Sequence, residues 1–401
     1  MSHDHSGIGT AARNRIRSIT GTQVQRLLSK LSVLGPHLPH LSDLPLWELI
    51  SDSDYASGEV TRNARGERVS GGRHVLQECS ILGHLRRIGA LDSDGERLDR
   101  GRESRASSQL TAVEFGAGTG RLSERLQRVA SDQDVAVVMI DRRDFAPAQC
   151  RDGGMRNRAA RDDDGGSSSA SVRRIVGDIA AVDIGQYCHP VDEKEADGES
   201  SGGEKRRHRC VCMSKHLCGP ACDLAIAALE RVAPPRRRPP FAFATCCHYL
   251  CTFDAFAGKE YWLRLGLTEE DFEVAVATSQ WYSLKRSKNS NGNQTHNEDN
   301  CEENGGTCRG ASLLKTQRYT TIIGLAADAL KESMSAERPP FDMSSDEFER
   351  TFSTENKIKL GSDVKRLLDF LRITKLQELG YDVELVLYTT RSIENRLLVG
   401  T

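Results

Sequence analysis

The sequence predicts an α/β protein built on a doubly wound, mostly parallel, seven-stranded sheet, and three observations predict it. Short apolar runs alternate with helical patterns from about residue 71 onward, as in sheets whose strands are joined by crossover helices. The first of these runs (Ala112, Val113, Phe115) enters a turn with glycine at alternate positions, Gly116, Gly118 and Gly120, and a helical pattern follows from Leu122. The polar and titratable residues then fall at the ends of the runs, where open α/β sheets bind their ligands.

Taken in order, residues 1–70 read as an N-terminal arm. Positions 1–20 are polar and basic, and from Val24 to Ile50 leucines recur among Pro36, Pro39 and Pro45, which suggests short helical pieces and turns. Residues 51–70 are polar and contain glycine and serine, the composition of a linker. The main domain is expected over 71–401. Its first helix carries a stripe at 75, 78/79, 82 and 85, with His84 as a packed or surface histidine. Strands follow at 112–115, 135–140, 173–176, 210–214 and 241–245. The run 135–140 is continuously apolar, as in a strand buried on both faces. Charged or low-complexity stretches at 151–171, 190–209 and 283–312 read as inserted loops. An amphipathic helix over 364–379 stops at Gly380, and two short strands, 383–388 and 395–399, close the chain with a reversed strand at the sheet edge.

Composition narrows the function classes. The 401-residue chain has length for a substantial buried core, and its formal net charge of −2 makes no global case for nucleic acid. Any RNA contact must come from local clusters: Arg142 and Arg143, Arg173 and Arg174, Arg206 and Arg207, and Arg236 to Arg238. No apolar run approaches the ~18 residues of a membrane span, so no membrane partner is expected. The start of the chain lacks a basic-then-apolar leader, which makes cytosol or nucleus the expected compartment. The twelve cysteines are then expected as thiols or ligands, not as a disulfide framework.

The glycine turn narrows the ligand. Glycine lets a ligand approach the backbone without meeting a Cβ, and it permits positive φ. The helix beyond offers its first amides. Arg121 stands where a dinucleotide fingerprint would place its third glycine, which argues against a nicotinamide cofactor. Glu114, two residues before the first glycine, suits a cationic ligand, and S-adenosylmethionine carries an ammonium and a sulfonium. Cofactor contacts are therefore expected from Glu114, Gly116, Gly118 and Gly120. Asp141 is expected to accept ribose hydroxyls, and Asp178 to meet the adenine amino group.

With these residues placed, the chain resembles the eukaryotic tRNA 2′-O-methyltransferase family that modifies nucleotide 4 of the acceptor stem. The matching stretches are QECSILGHL (77–85), VEFGAGTGRLS (113–123), SKHLCGPACDL (214–224), CCHYLC (246–251) and SIENRLL (392–398). The glycine turn is common to many methyltransferases; KHLCG followed by CCHxxC is far more specific. The resemblance implies a Rossmann-like class I methyltransferase sheet, S-adenosylmethionine as donor and the tRNA acceptor stem as partner, with no stable protein partner. Family members usually begin with small Cys/His zinc modules, and residues 1–70 of this chain contain no cysteine.

The reaction implied is in-line attack of a ribose 2′-oxygen on a sulfonium methyl, for which alignment matters most. Lys215, His216 and His248 are the candidate catalytic residues. Lys215 could orient or deprotonate the hydroxyl, and either histidine could act as base near neutral pH. The bland reading gives Lys215 a phosphate and leaves the histidines to hydrogen-bond loops. No metal site is assigned, although Cys218, Cys222, Cys247 and Cys251 would form a four-thiolate zinc site if their loops met. Cys210, Cys212 and Cys246 need no role beyond small core residues. Two other readings stand beside this one: an RNA cytosine-5 methyltransferase with Cys246 as nucleophile, and a catalytically silent RNA-binding factor on the same fold.

Overall fold

The computed structural model describes residues 19–37, 44–51, 54–55, 60–62, 68–70, 72–92, 108–130, 134–155, 171–188, 207–233, 236–284, 319–335, 350, 352–390 and 392–401. The described residues within 1–45 and 247–380 make one compact unit, and those within 46–246 and 381–401 make another.

The second unit holds the sheet. Its elements are α2 (Arg73–Arg87), β1 (Ser108–Phe115), α3 (Arg121–Val129), β2 (Asp134–Asp141), β3 (Val172–Val176), β4 (Arg207–Cys218), α4 (Pro220–Glu230), β5 (Phe241–Cys246), β6 (Val383–Leu387) and β7 (Arg396–Gly400). The other unit holds α1 (Gly21–Leu34), α5 (Lys259–Arg264), α6 (Glu269–Ser279), α7 (Tyr319–Ser335) and α8 (Thr354–Glu378).

The strand order is β3-β2-β1-β4-β5-β7-β6. Strands β1 to β5 pair in parallel, and β7 runs antiparallel to both β5 and β6. The order reverses between β1 and β4, so the carboxyl ends of these neighbours mark the switch point of the sheet. The reversed strand is not at the edge, as expected above, because β6 pairs outside it.

Both faces of the sheet are buried. Leu110, Ala112, Val137, Met139, Val211, Met213, Ala242, Ala244, Leu397 and Val399 pack in one cluster with Ile81, Leu82 and Leu85 of α2 and Leu122, Leu126 and Val129 of α3. The alternate residues Val113, Phe115, Val138, Ile140, Phe241, Phe243 and Leu398 are buried as well. This two-sided burial explains why the strands read as continuous apolar runs.

In the helical unit, α8 presents Val364, Leu367, Leu368, Leu371 and Leu376 to the interior. The helix begins ten residues before the expected start at 364, where the Ser353 hydroxyl accepts the Asn356 amide as N-cap. Helix α1 buries Val24, Leu27 and Leu34, and its Lys30 ammonium lies 2.6 Å from Asp271 of α6. Helix α7, not foreseen from the sequence, buries Tyr319, Ile323, Ala326 and Leu330 along one face.

Several boundaries also move. Residues 151–155 belong to the fold and not to an inserted loop: Met155 is fully buried and Asp152 pairs with Arg174. Residues 207–209 open β4. Within 51–70, Thr61–Arg62 and Arg68–Ser70 form a small antiparallel ladder. Most of the expected insertions lie outside the described residues. No helix among the described residues is long and apolar enough to cross a membrane.

The burial contrast within the sheet unit is testable by urea denaturation. Leu126→Ala empties a site in the cluster and is expected to cost about 2–5 kcal/mol. Val176→Ala, at a half-exposed position of edge strand β3, is expected to cost under about 1 kcal/mol.

Candidate functional site

The site begins where β1 ends. Glu114 is buried, and its Oε2 accepts both the amide and the hydroxyl of Ser123. Ser123 is in the first turn of α3, whose amides have no intrahelical acceptor. A strand carboxylate therefore ties β1 to the N-terminus of the helix that follows. Burial pushes the Glu114 carboxyl up to about 7, against the pull of the Ser123 hydrogen bonds.

Between these anchors the three glycines all adopt positive φ, at 62°, 54° and 86°. Each does so for a different surrounding. A Cβ on Gly116 would meet the His216 carbonyl oxygen of β4 at 2.9 Å, and one on Gly120 would meet the Met139 sulfur at 2.8 Å. A Cβ on Gly118 would meet nothing within 4 Å, so the backbone there faces open space.

Two side chains brace the turn. Gly118 donates its amide to Asp141 Oδ2 at 2.8 Å, and Asp141 Oδ1 accepts the Arg143 amide at 2.8 Å. Each carboxylate oxygen keeps a further lone pair for a ligand hydroxyl. The Gly118 carbonyl accepts from Arg174 at 2.7 Å, and Arg174 is itself held by a two-point pair with Asp152 at 2.9 and 2.8 Å. Asp178, beyond β3, caps the short turn Ile179–Ala181 by accepting the Ala180 amide, with Arg142 3.5 Å away.

Lys215 and His216 do not follow the fourth strand; they lie within it. Strand β4 runs to Cys218, and its pairing with β5 steps from Ser214↔Phe243 to Leu217↔Thr245. One extra residue on β4 makes a bulge at the Lys-His pair, and bulges re-aim side chains. Lys215 turns inward and is buried, whereas His216 is exposed, with its ring edge-on to His74. The Lys215 ammonium donates to Glu78 Oε1 of α2 at 2.6 Å and to the His74 carbonyl at 3.4 Å. Burial lowers its pKa, and the Glu78 charge opposes that shift.

Sequence pattern alone does not bring Glu78 to the site, although an acid on the apolar stripe of α2 is its one local signal. It also meets Arg125 at 3.2 Å and Arg121 at 3.4 Å. Behind it, Asp54 is 3.8 Å from Arg125 and 3.9 Å from Arg86. Glu114, Lys215 and Glu78 act on one another electrostatically, so the glycine turn and the lysine share one charged neighbourhood.

The Cys218 and Cys246 sulfurs are 3.3 Å apart on registered positions of β4 and β5. Cys222 is buried in α4. His248, two residues beyond β5, belongs to the helical unit, where it is buried with Nε2 2.8 Å from Asp369 Oδ1. Asp369 also accepts from Arg372, whose other terminal nitrogen approaches the Cys251 sulfur at 3.1 Å. Burial lowers the His248 pKa and favours the neutral ring. His84 is buried too, hydrogen-bonded to the Trp47 carbonyl, with its pKa lowered to about 4 by burial.

Residues 76–401, which contain all of these side chains except Asp54 and His74, match the family described as Methyltransferase TRM13. This chain belongs to the TRM13 methyltransferase family. Among its relatives is the tRNA:m(4)X modification enzyme TRM13 of Schizosaccharomyces pombe, 23% identical over 345 residues, or 84% of this chain and 70% of that protein. The human tRNA:m(4)X modification enzyme TRM13 homolog is 23% identical over 377 residues, covering 82% of this chain and 64% of the human protein. The Yarrowia lipolytica enzyme is 26% identical over 229 residues, 54% of this chain and 42% of its own length. Membership in the TRM13 family makes the glycine turn and the Lys-His bulge parts of a methyltransferase.

The buried Glu114 carboxyl gives stability a pH dependence whose sign follows from its raised value. Between the ordinary 4.5 and about 7 the unfolded chain has released this proton and the folded chain keeps it, so stability falls as pH rises through that window. Calorimetric melting across it is expected to show a smaller loss for Glu114→Gln than for the wild type. Identical losses would assign the slope to other groups.

Proposed function

We propose that this chain is an S-adenosylmethionine-dependent tRNA methyltransferase that methylates the ribose 2′-oxygen of nucleotide 4 in the acceptor stem. The fold is read as a Rossmann-like class I sheet, doubly wound, with the catalytic domain over residues 71–401 and the first 70 residues as an appended arm. One observation carries the reading. A positive-φ glycine turn, open at Gly118 and flanked by Asp141, stands at the switch point beside the strand that carries Lys215. The relatives' names, as tRNA:m(4)X modification enzymes, support tRNA as substrate.

The residues fit the donor. The open backbone at Gly118 leaves room for a ligand where any side chain would intrude, and Asp141 offers acceptors to ribose hydroxyls. When bound, S-adenosylmethionine supplies a sulfonium methyl whose carbon–sulfur bond breaks, its electron pair staying on sulfur, as the 2′-oxygen bonds to carbon. The protein aligns the groups. Gly116, Gly118 and Gly120 shape the turn, Asp141 holds the nucleoside, and Asp178 stands beyond β3 for the base. Glu114 favours a cationic ligand and rigidifies the turn. Lys215 orients the 2′-hydroxyl or takes its proton, and His216 is exposed beside it. His248, expected as the third candidate base, is buried in the helical unit and held there by Asp369. The Cys246 reading is less favoured, because that thiol is buried against Cys218.

Methyl transfer from labelled donor to total tRNA, followed by digestion and site mapping, tests this. The expected product is a 2′-O-methylated nucleoside at position 4, with Lys215→Ala slowing transfer by about 100-fold or more. Appearance of 5-methylcytidine, with covalent trapping by 5-fluorocytidine RNA, would favour Cys246 as nucleophile. A folded protein that does not bind S-adenosylmethionine would favour the silent RNA-binding factor.

Arg236 and Arg237 are exposed and are assigned to phosphate. Their joint replacement by glutamine is expected to weaken tRNA binding and to reduce the slope of log affinity against log salt by about 1.5. An unchanged slope removes them from the interface.

A further inference from the structure

Glu78 occupies a position that a hydrophobic residue would fill on an ordinary packing helix. It is 2% exposed, on the face of α2 that buries Leu82 and Leu85. A carboxylate in such a place is costly unless cations surround it, and three do. Oε1 takes the Lys215 ammonium at 2.6 Å and Arg121 at 3.4 Å, and Oε2 takes Arg125 at 3.2 Å. Arg125 is further balanced by Asp54. Of the three cations, Lys215 is the closest, and it is the one carried on the bulge of β4.

We propose that Glu78 is the positioning residue for Lys215, holding the lysine in its inward orientation and keeping it an ammonium, so that Lys215 meets the 2′-oxygen as a cation and not as the proton-accepting base. This rests on the methyl-transfer reading above and decides between the two parts that reading leaves to Lys215. A 2.6 Å charge-assisted contact from the opposing helix fixes the swing of a four-carbon side chain that the bulge alone would leave free. The charged groups facing the lysine are Glu78, Arg121 and Glu114. Burial and Arg121 push the proton off, and Glu78 and Glu114 pull it back, with Glu78 the stronger of the two. A cationic role means that activity falls as pH rises through the Lys215 pKa. The hydroxyl proton then leaves to solvent water or to a histidine.

The test measures single-turnover methyl transfer to tRNA from pH 6 to 10, at saturating donor, for the full-length wild type, Glu78→Gln and Glu78→Asp, with melting curves for each. Glu78→Gln removes the charge that favours the ammonium. Its alkaline decline is expected to begin at least one pH unit below that of the wild type, with a rate at pH 7 reduced 10-fold or more and KM for tRNA within about two-fold. Should that variant fail to fold, Glu78→Asp carries the test: it keeps a charge for the arginines but withdraws it from Lys215, and the same displacement is expected, smaller in size. An alkaline limb that stays in place in a folded variant overturns the proposal, even if the rate and melting temperature fall, because that is what a merely structural carboxylate would give. A limb that rises with pH and moves to lower pH overturns it too, by making Lys215 the base. A wild type that transfers no methyl group overturns the underlying reading, and this one with it; an active wild type with an unmoved variant overturns this one alone.

Discussion

The turn between β1 and α3 passes so close to β4 that no side chain fits at Gly116. A Cβ there would lie 2.9 Å from the His216 carbonyl oxygen, inside the contact distance that real structures tolerate. The close approach is a consequence of the strand order, which sets β1 directly against β4 where the winding of the sheet reverses. Once that approach is imposed, the remaining geometry follows. The turn must use positive φ, and its exit must start a helix whose first amides need acceptors. Glu114 supplies one from inside the sheet, at the energetic cost of a buried carboxyl that keeps its proton to about pH 7.

The bulge in β4 is the second consequence. A regular parallel strand would send Lys215 and His216 to opposite faces without a break in pairing. The inserted residue instead breaks the pairing locally, with Lys215 buried and His216 exposed, and β4 then continues to Cys218 beside β5. The inward lysine then needs a counter-charge, and α2 provides Glu78. The result is a network of buried Lys215, Arg125, Glu78 and Asp54, joined at its solvent edge by the exposed Arg121. A network of this kind adds little net stability over an apolar core, but losing one member leaves a buried charge unmatched. It therefore restricts the arrangement of α2, α3 and β4 more than it strengthens it.

The helical unit follows different rules. Its stability lies in apolar stripes on α1, α6, α7 and α8 and in an aromatic cluster of Phe253, Phe256, Trp262 and Phe272. His248 sits in it as a neutral, doubly constrained side chain, since Asp369 is shared with Arg372. Cys247 just before it is a non-glycine residue with positive φ, 51°, a conformation that costs on the order of 1 kcal/mol. The chain accepts that strain at the point where it leaves β5.

Local pattern determined a good deal by itself. Seven strands, the turn with its three positive-φ glycines, Asp141 at a strand end and the long C-terminal helix were all legible, because each depends on neighbours within a few residues: periodic burial, backbone freedom, a capping residue. The stripe of α7 is present in the sequence, but the long polar stretch before it gives no strand or turn to place it by. Tertiary structure alone decided the rest. The true length of β4 was hidden because a bulge presents polar residues in mid-strand and so imitates a strand end. The place of the reversed strand depended on which neighbour β6 would find. Glu78 and Lys215 stand 137 residues apart, and nothing in either stretch names the other. Two charges can be matched across such a separation only when the folded chain has already excluded the water that would otherwise solvate them.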